Sequence, residues 1–260
     1  MITDVTEDKM LVVSDLHIGN PFCETKRSLL DFFDWVASTD YSLCINGDGL
    51  EVAQTKFLKL AVEIPDVLTY LRKLRRSGRG VYFVIGNHDI VLEHLLQDWD
   101  FAILSPFLNV ASGDKRIRIE HGHIYDPMFV SRPRLYAFLT KAAGLVLDVC
   151  PSAYRAWMSW EKMRYGGKDS AITGEPEAFG AAAREILDRG FDAVVFGHTH
   201  QAGMRQYGEQ CYVNSGSWML APNYVKIDHG QISLESWEPV RERTILPPEL
   251  ADLLSAFRRN

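Results

Sequence analysis

Five short motifs rich in aspartate, asparagine and histidine recur along this chain of 260 residues. In order they are Asp15-Leu16-His17, Gly47-Asp48, Gly86-Asn87-His88-Asp89, His121-Gly122-His123 and Gly197-His198-Thr199-His200. Each motif follows a short segment with the length of a strand, apolar throughout in most cases and alternating charged and apolar over residues 116–120, so each strand is expected to deliver polar side chains at its carboxyl end. In layered α/β folds these ends meet at one edge. The five motifs are therefore predicted to converge on one site.

Helix-like segments alternate with these strands, as is typical of α/β folds. Apolar residues have helical spacing within residues 26–37, and a second helix is predicted over residues 57–76, bent or interrupted near Pro65. After His200, alternating segments predict antiparallel strands, among them residues 210–214. Between residues 126 and 175 the sequence is aromatic, basic and helical in pattern. We predict one domain over residues 1–260 with a helical insertion at about 126–175.

Charge and composition exclude several classes of protein. The formal net charge of −6 argues against a general nucleic-acid binder, so no nucleic-acid partner is expected. No apolar stretch reaches the roughly 18 residues of a membrane span, and the first residues lack the basic start of a signal peptide. The four cysteines are far apart and fit small core residues in a reducing compartment. The expected location is cytoplasmic, with peripheral contact at the inner membrane face left open.

Taken singly, each motif has a structural explanation. An Asp-x-His sequence can cap a helix, and Gly-Asp or Gly-Asn pairs are common in turns. His198 and His200 are more informative, because alternate residues of an extended segment point the same way and can bind one ion together. Imidazole combined with oxygen donors, without thiolate, favours manganese, iron or zinc over copper or calcium, and manganese is the first choice.

The ordered set of motifs resembles the calcineurin-like metallophosphoesterase superfamily, whose signature is D-x-H, G-D, G-N-H-[DE], H and G-H-x-H. The resemblance spans about residues 15–200, and Asn214-Ser215-Gly216-Ser217 is similar to that family's Asn-x-Gly-Ser segment. It implies a four-layer αββα sandwich of mixed sheets flanked by helices, with the insertion acting as a lid. It also implies two divalent metal ions, the first bound by Asp15, His17, Asp48 and His200, and the second by Asp48, Asn87, His121 and His198.

The resemblance implies a mechanism as well. A hydroxide that bridges the two ions attacks phosphorus, while the ions neutralise the non-bridging oxygens. His88 contacts the phosphate or protonates the leaving group, and Asp89 orients its ring. Asp89 has an alternative role as the cap of a helix that begins near Ile90. His123 matches a second histidine in some members of the family, and indirect support of the site is as consistent with that position as direct ligation.

The insertion provides the main indication of substrate. Between residues 131 and 168 it has seven basic and two acidic side chains, interleaved with aromatic residues. Such a surface suits an anionic, partly apolar substrate or an anionic membrane, and the predicted substrate contacts are Arg155, Trp157, Trp160 and Arg164. Alternatively, the apolar residues pack the insertion onto the core while the basic side chains face water.

The helical insertion between the fourth and fifth motifs is similar to the layout of UDP-2,3-diacylglucosamine hydrolases, which cleave the pyrophosphate of a lipid A precursor. Enzymes of that group typically have arginine after the asparagine, whereas this chain has His88, as general phosphoesterases do. The sequence thus predicts hydrolysis of a phosphoester or pyrophosphate in a phosphorylated small molecule or lipid, with UDP-2,3-diacylglucosamine as a candidate. The alternatives are a broad phosphomonoesterase or phosphodiesterase for soluble nucleotides or phosphoproteins, and an inactive scaffold, against which the complete ligand set argues.

Overall fold

The computed structural model describes residues 3–20, 26–165 and 175–238. Strands β1 to β12 in this part are Asp4–Thr6, Lys9–Val13, Ser42–Asn46, Val81–Val84, Ile103–Ser105, Leu108–Ser112, Lys115–Ile119, Ala193–Phe196, Gly203–Tyr207, Gln210–Asn214, Asn223–Asp228 and Gln231–Ser236. Helices α1 to α6 are Lys26–Ser38, Phe57–Arg76, Pro127–Ser131, Pro133–Val149, Pro151–Tyr165 and Glu177–Asp188. Two short 3-10 helices are Ile90–Leu95 and His123–Tyr125.

The strands form two mixed sheets of six strands each. The first has the order β12-β11-β2-β3-β4-β5, in which β2 to β5 are parallel and β11 and β12 run antiparallel at one edge. The second has the order β1-β6-β7-β8-β10-β9, with β7, β8 and β10 parallel. The five motifs follow β2, β3, β4, β7 and β8, each within two residues of the strand end. The predicted strand-end placement is confirmed.

Side chains alternate between the two faces of each sheet, and this alternation determines which layer each face packs against. Leu11 and Val13 of β2 pack against α1 and α2, whereas Met10 and Val12 face the second sheet, where Val195 belongs to the same buried cluster. The outer face of the second sheet is covered by α6. Because side chains of a strand alternate between two faces, these strands are apolar on both sides. The order helix, sheet, sheet, helix confirms the predicted αββα sandwich.

Some local expectations are corrected by the tertiary packing. Helix α2 continues through Pro65 without interruption, because Leu60, Val67 and Leu71 are buried on its inner face. Each such burial contributes about 1.5–3 kcal/mol, which together exceeds the roughly 3 kcal/mol cost of proline inside a helix. Strand β10, predicted to be antiparallel, pairs antiparallel with β9 but parallel with β8, since the hairpin with β9 returns the chain to the direction of β8.

The cysteine prediction holds only in part. Cys44 and Cys211 are buried as expected for small core residues, whereas Cys150 is exposed. Cys150 follows the last turn of α4, where the chain turns at the surface between two helices. Cys23 lies outside the described residues.

The described part of the insertion, residues 126–165, contains α3, α4 and α5 and no strand. Leu147, Tyr154 and Met158 of the insertion pack on Met219 and Leu220 of the core. Among the described residues no single helix has the length and apolarity of a bilayer span. Pro133–Leu147 and Ser152–Glu161 meet that test only together, as a pair bent by 119°.

Candidate metal centre

The seven predicted ligands lie together where the carboxyl ends of the two sheets meet. Nε2 of His121 lies 3.3 Å from Oδ2 of Asp48 and 3.2 Å from Oδ1 of Asn87. On the other side, Nε2 of His200 lies 3.2 Å from Oδ1 of Asp15. Ligand atoms within 4.8 Å of one another form three groups: Asp15 with His17 and His200, His17 with Asp48 and His88, and Asp48 with His121 and His198. Asp48 belongs to two groups, which is what a shared ligand requires.

The backbone at these ligands is strained. Among the described residues six non-glycine residues have positive φ, and five of them are predicted ligands, with φ between 46° and 66°: Asp15, His17, Asp48, His198 and His200. This left-handed region is sparsely populated by residues with a side chain, and such outliers cluster at functional sites. The surrounding sheets hold these side chains toward one another at the expense of local backbone energy.

Two motif glycines are explained by close approach. A Cβ atom on Gly86 would overlap Oδ1 of Asp48, and a Cβ on Gly197 would lie 2.7 Å from Oδ2 of Asp15. Neither glycine has positive φ. Their role is therefore to let the backbone approach a ligand carboxylate, rather than to supply a turn conformation as the sequence pattern indicated.

Each of the four predicted histidine ligands turns one nitrogen toward the cluster, and a neighbouring oxygen contacts the other. His17 donates from Nδ1 to Glu51 at 2.8 Å, and His121 donates from Nδ1 to the Asn46 carbonyl at 2.9 Å. The remaining partners belong to the insertion: Nε2 of His198 lies 3.0 Å from Asp126, and Nδ1 of His200 lies 3.6 Å from Glu161. Metal-binding histidines almost always have such partners, because the partner sets the tautomer and the ring orientation.

His88 is held by a residue that sequence reasoning missed. Its Nδ1 donates to Oε1 of Glu51 at 2.6 Å, and its Nε2 faces Asp48 at 4.0 Å. Glu51 therefore connects the rings of His17 and His88. In the sequence Glu51 closes the block Gly47-Asp48-Gly49-Leu50-Glu51, which resembles the UDP-2,3-diacylglucosamine hydrolases, but the block gave it no role.

Asp89 has a different role from the two that were predicted. Its carboxylate accepts hydrogen bonds from the backbone N–H groups of Gly86 at 2.7 Å, Gly49 at 2.8 Å and Leu50 at 3.3 Å. It makes no side-chain cap to the following 3-10 helix. Glu51, not Asp89, contacts the ring of His88, because Asp89 points back toward the Gly49 loop. Asp89 ties two ligand-bearing loops together.

The electrostatics of the cluster favour the ionised forms of Asp48 and Glu51, whereas burial and Asp48 raise the pKa of Asp89 to about 7. Burial raises the pKa of Asp48, but the rings of His121 and His88 outweigh this and hold its pKa well below the ordinary value. Burial likewise raises the pKa of Glu51, and His88 and His17 lower it to about 2. Burial lowers the pKa of His121, yet Asp48 and Asp15 raise it to about 9. The negative charge of the buried carboxylates is therefore offset here by protons on imidazole.

The residues present fit a divalent metal site. Nε2 of His17 is buried and makes no hydrogen bond within the described part of the chain. Unpaired buried polar atoms are costly, and this atom belongs to the predicted ligand set. His123 lies buried beside the cluster: its ring is 5.6 Å from that of His121 and packs edge-on against Phe129 at 5.1 Å, and burial lowers its pKa to about 3.

The loop that bears His198 and His200 is also stabilised by hydrogen bonds to Glu175 and Asn214. Glu175 accepts hydrogen bonds from Thr199 at 2.9 Å, from Tyr212 at 2.7 Å and from Asn214 at 3.1 Å. Asn214 also donates to the Gly197 carbonyl at 2.9 Å. These contacts give a structural role to the Asn-x-Gly-Ser segment and identify Glu175 as a supporting residue without any motif signal.

A cavity of about 290 Å³ opens beside the cluster. It is lined by His17, Glu51, His88 and His200 on the metal side and by insertion residues that include Leu139, Trp157 and Met158. Of the four predicted substrate contacts, Trp157 lines this cavity, whereas Arg155 and Trp160 are exposed and are not part of its lining. The Arg164 side chain lies outside the described residues.

The fold and this site belong to one class of protein, the metal-dependent phosphoesterases. The calcineurin-like phosphoesterase family profile matches residues 9–202, and the chain belongs to that family. It is a phosphoester hydrolase, and membership implies divalent metal ions at the clustered ligands.

Named relatives are distant but extend over most of the chain. A UDP-2,3-diacylglucosamine hydrolase of Pseudomonas putida (strain W619) is 23% identical over 244 residues, covering 88% of this chain and 99% of the relative. A UDP-2,3-diacylglucosamine hydrolase of Haemophilus influenzae is 24% identical, covering 83% and 92%. A crystal structure of the hypothetical protein PH1004 from Pyrococcus horikoshii superposes with a TM-score of 0.51 at 10% identity, covering 98% and 94%, which shows the shared fold.

Proposed function

We propose that this chain hydrolyses a phosphoester or pyrophosphate bond in a phosphorylated, lipid-linked substrate, with two divalent ions bound by the seven predicted ligands. UDP-2,3-diacylglucosamine or a close relative is the proposed substrate. The observation that carries this proposal is the convergence of the ligands around Asp48 at the mouth of a cavity with an apolar insertion wall. The distant relatives named for that hydrolysis support the choice of substrate.

The chemistry is divided between the ions and the protein. When bound, divalent ions supply Lewis-acid charge to phosphate oxygens and lower the pKa of a bound water toward neutrality. His88 is proposed to donate a proton to the leaving oxygen from Nε2, because Glu51 occupies its Nδ1. In the metal-free chain burial lowers the pKa of His88, but Asp48 and Glu51 raise it to about 9, and the contact of Nδ1 with Glu51 favours a protonated ring.

The insertion supports an apolar part of the substrate. In the cavity the aliphatic and aromatic side chains of α4 and α5 face the histidine cluster across a gap that suits an anionic head with a hydrocarbon tail. Outside the cavity the insertion exposes large apolar side chains, among them Leu145 at 63%, Val149 at 74% and Met163 at 79%. Exposed apolar groups on a basic helical segment favour peripheral contact with an anionic membrane as part of this proposal.

The proposal is tested by metal analysis followed by hydrolysis assays. Protein loaded with manganese is expected to retain two ions per chain and to hydrolyse UDP-2,3-diacylglucosamine faster than bis-p-nitrophenyl phosphate or a phosphomonoester. Fewer than one ion per chain, with no hydrolysis of any of the three, would overturn the proposal. Preference for the soluble diester would replace the lipid substrate by the broad phosphodiesterase.

Replacing Trp157 with alanine is expected to lower kcat/KM for UDP-2,3-diacylglucosamine by about tenfold, because the loss of about 1.4 kcal/mol of apolar contact corresponds to that factor. Hydrolysis of bis-p-nitrophenyl phosphate should not change. Phe138→Ala is the matched control, since Phe138 is an aromatic residue of the same insertion that is exposed and does not line the cavity. Unchanged lipid turnover in Trp157→Ala would exclude the cavity as the lipid site.

Metal uptake by metal-free protein at pH 7 is expected to release about two protons. Imidazole must lose its proton to bind an ion, while the pKa of His121 is about 9 and that of His200 is raised well above its ordinary value by Asp15 and Glu161, against the opposing effect of burial. Affinity should therefore fall as the pH is lowered from 7. Calorimetric titration with manganese in two buffers of different ionisation heat measures the protons released, and a value near zero would contradict this assignment.

A further inference from the structure

The insertion contacts three of the seven proposed ligands, which its expected role as a substrate lid does not explain. Asp126 contacts His198, Tyr136 contacts Asn87, and Glu161 contacts His200. The core supplies the partners of His17 and His121 instead. Asp126 begins the insertion, Tyr136 lies on α4 and Glu161 lies on α5, so the start of the insertion and two of its helices each contact the cluster.

Resting on the proposed function, we propose that Asp126 and Glu161 are positioning residues for the metal ions, each acting through one histidine of the Gly197–His200 motif. Asp126 acts on the ion bound by His198, and Glu161 acts on the ion bound by His200. Tyr136 assists the first by holding the amide of Asn87. The insertion is thus the outer wall of the metal centre as well as a cover for substrate.

The geometry at Asp126 determines which nitrogen of His198 faces the cluster. Oδ1 of Asp126 accepts a hydrogen bond from the N–H of Met128 at 2.8 Å and caps α3, which leaves Oδ2 for Nε2 of His198 at 3.0 Å. A carboxylate only accepts, so Nε2 carries a hydrogen and Nδ1 is the nitrogen left to bind an ion. Nδ1 lies 2.8 Å from Oδ1 of Asn87, on the side of the ligand cluster.

Tyr136 has the corresponding effect on Asn87. Nδ2 of Asn87 donates to the Tyr136 hydroxyl oxygen at 2.9 Å, so Oδ1 is the amide atom turned toward His121 and His198. Only the oxygen of an amide binds a hard metal ion. The contact from α4 therefore selects the ligating face of the side chain.

The substitution Asp126→Asn separates the proposed positioning of His198 from the structural role of Asp126 as the cap of α3. Its Oδ1 keeps the cap on Met128, which places Nδ2, a donor, against Nε2 of His198. The ring must then accept at Nε2 and carry its hydrogen on Nδ1, the atom proposed to bind the ion. Asp126→Asn is expected to weaken one of the two manganese binding steps by about 10–100-fold, with the other step unchanged.

Glu161→Gln is expected to weaken the other step, and the double variant should weaken both. Glu177→Gln is the control, because Glu177 is an exposed carboxylate just beyond the insertion. Binding is measured by calorimetry on metal-free protein, and manganese paramagnetic resonance reports the change from a coupled pair of ions to a single ion. Thermal unfolding of the metal-free variants should match wild type, since the cap on α3 is kept in Asp126→Asn.

Three outcomes would overturn the inference. If Asp126→Asn binds two ions with wild-type affinity, Asp126 does not position His198. If the two variants weaken the same step, the assignment of one carboxylate to each ion is wrong. If wild type itself binds fewer than one ion, the proposed function fails first and this inference with it, which the wild-type titration alone reveals.

Discussion

Asp48→Asn is expected to lower hydrolysis of every substrate by at least about a thousandfold and to leave no more than one ion bound per chain. Asp48 is 2% exposed and its carboxylate lies within reach of His17, His88, His121 and His198. In asparagine the one oxygen stays on the His88 N–H, which turns the amide nitrogen, a donor that does not bind a metal ion, toward His121. Losing the arrangement that stabilises phosphate charge removes the largest contribution to such catalysis.

Asparagine is the appropriate replacement because it keeps the local structure. Asp48 has φ of 49°, and asparagine tolerates this left-handed conformation better than most residues. Its Oδ1 can still accept the hydrogen bond that His88 N–H donates at 2.8 Å. Metal content is measured after manganese loading, together with kcat. Two tightly bound ions and activity within tenfold of wild type would show that Asp48 is not the shared ligand.

His88→Ala is expected to lower kcat by about a hundredfold to a thousandfold without loss of either ion, the range typical of a general acid. The decrease should be large for a poor leaving group, such as the alcohol of an alkyl phosphodiester, and small for p-nitrophenolate, which leaves without protonation. A single rate constant does not distinguish proton donation by His88 from phosphate binding by His88. The dependence of the decrease in kcat on the pKa of the leaving group distinguishes them.

His94→Ala is the matched control, because His94 is exposed on the 3-10 helix that follows the same motif and lies outside the three ligand groups. It should retain wild-type kcat with all substrates. A loss of bound metal in His88→Ala would make His88 a ligand. A uniform decrease for good and poor leaving groups would assign His88 to phosphate binding instead of proton transfer.

The sequence pattern alone correctly predicted where the motifs lie, because the residues of each motif are neighbours along the chain. Each of the five motifs follows its strand within two residues. For β2, β3, β4 and β8 the reason is that a buried parallel strand is a nearly continuous apolar run, whereas β7 alternates basic and apolar residues. The sequence pattern was a weaker guide where tertiary packing overrides the local conformational preference of a residue. Proline at position 65 breaks an isolated helix, but the buried face of α2 compensates in the folded chain.

Sequence motifs did not predict the contacts between segments that are distant along the chain. Glu51 holds His88, 37 residues further along the chain, and Asp126 holds His198, 72 residues further. Glu51 ends the Gly47–Glu51 block without a role that the block predicts, and Asp126 belongs to no motif. The expectation that Asp89 orients His88 failed for the same reason, since adjacency in sequence says nothing about which way two side chains point around a strained turn.

The sequence by itself determined the donor types, their order and the strands that deliver them, because these depend on local periodicity and on side-chain chemistry. Only the tertiary structure decided which nitrogen of each histidine faces the cluster and which carboxylate holds the other nitrogen. It also decided that the insertion takes part in the centre itself. These features depend on hydrogen bonds between segments that meet only after two sheets and the insertion have packed together.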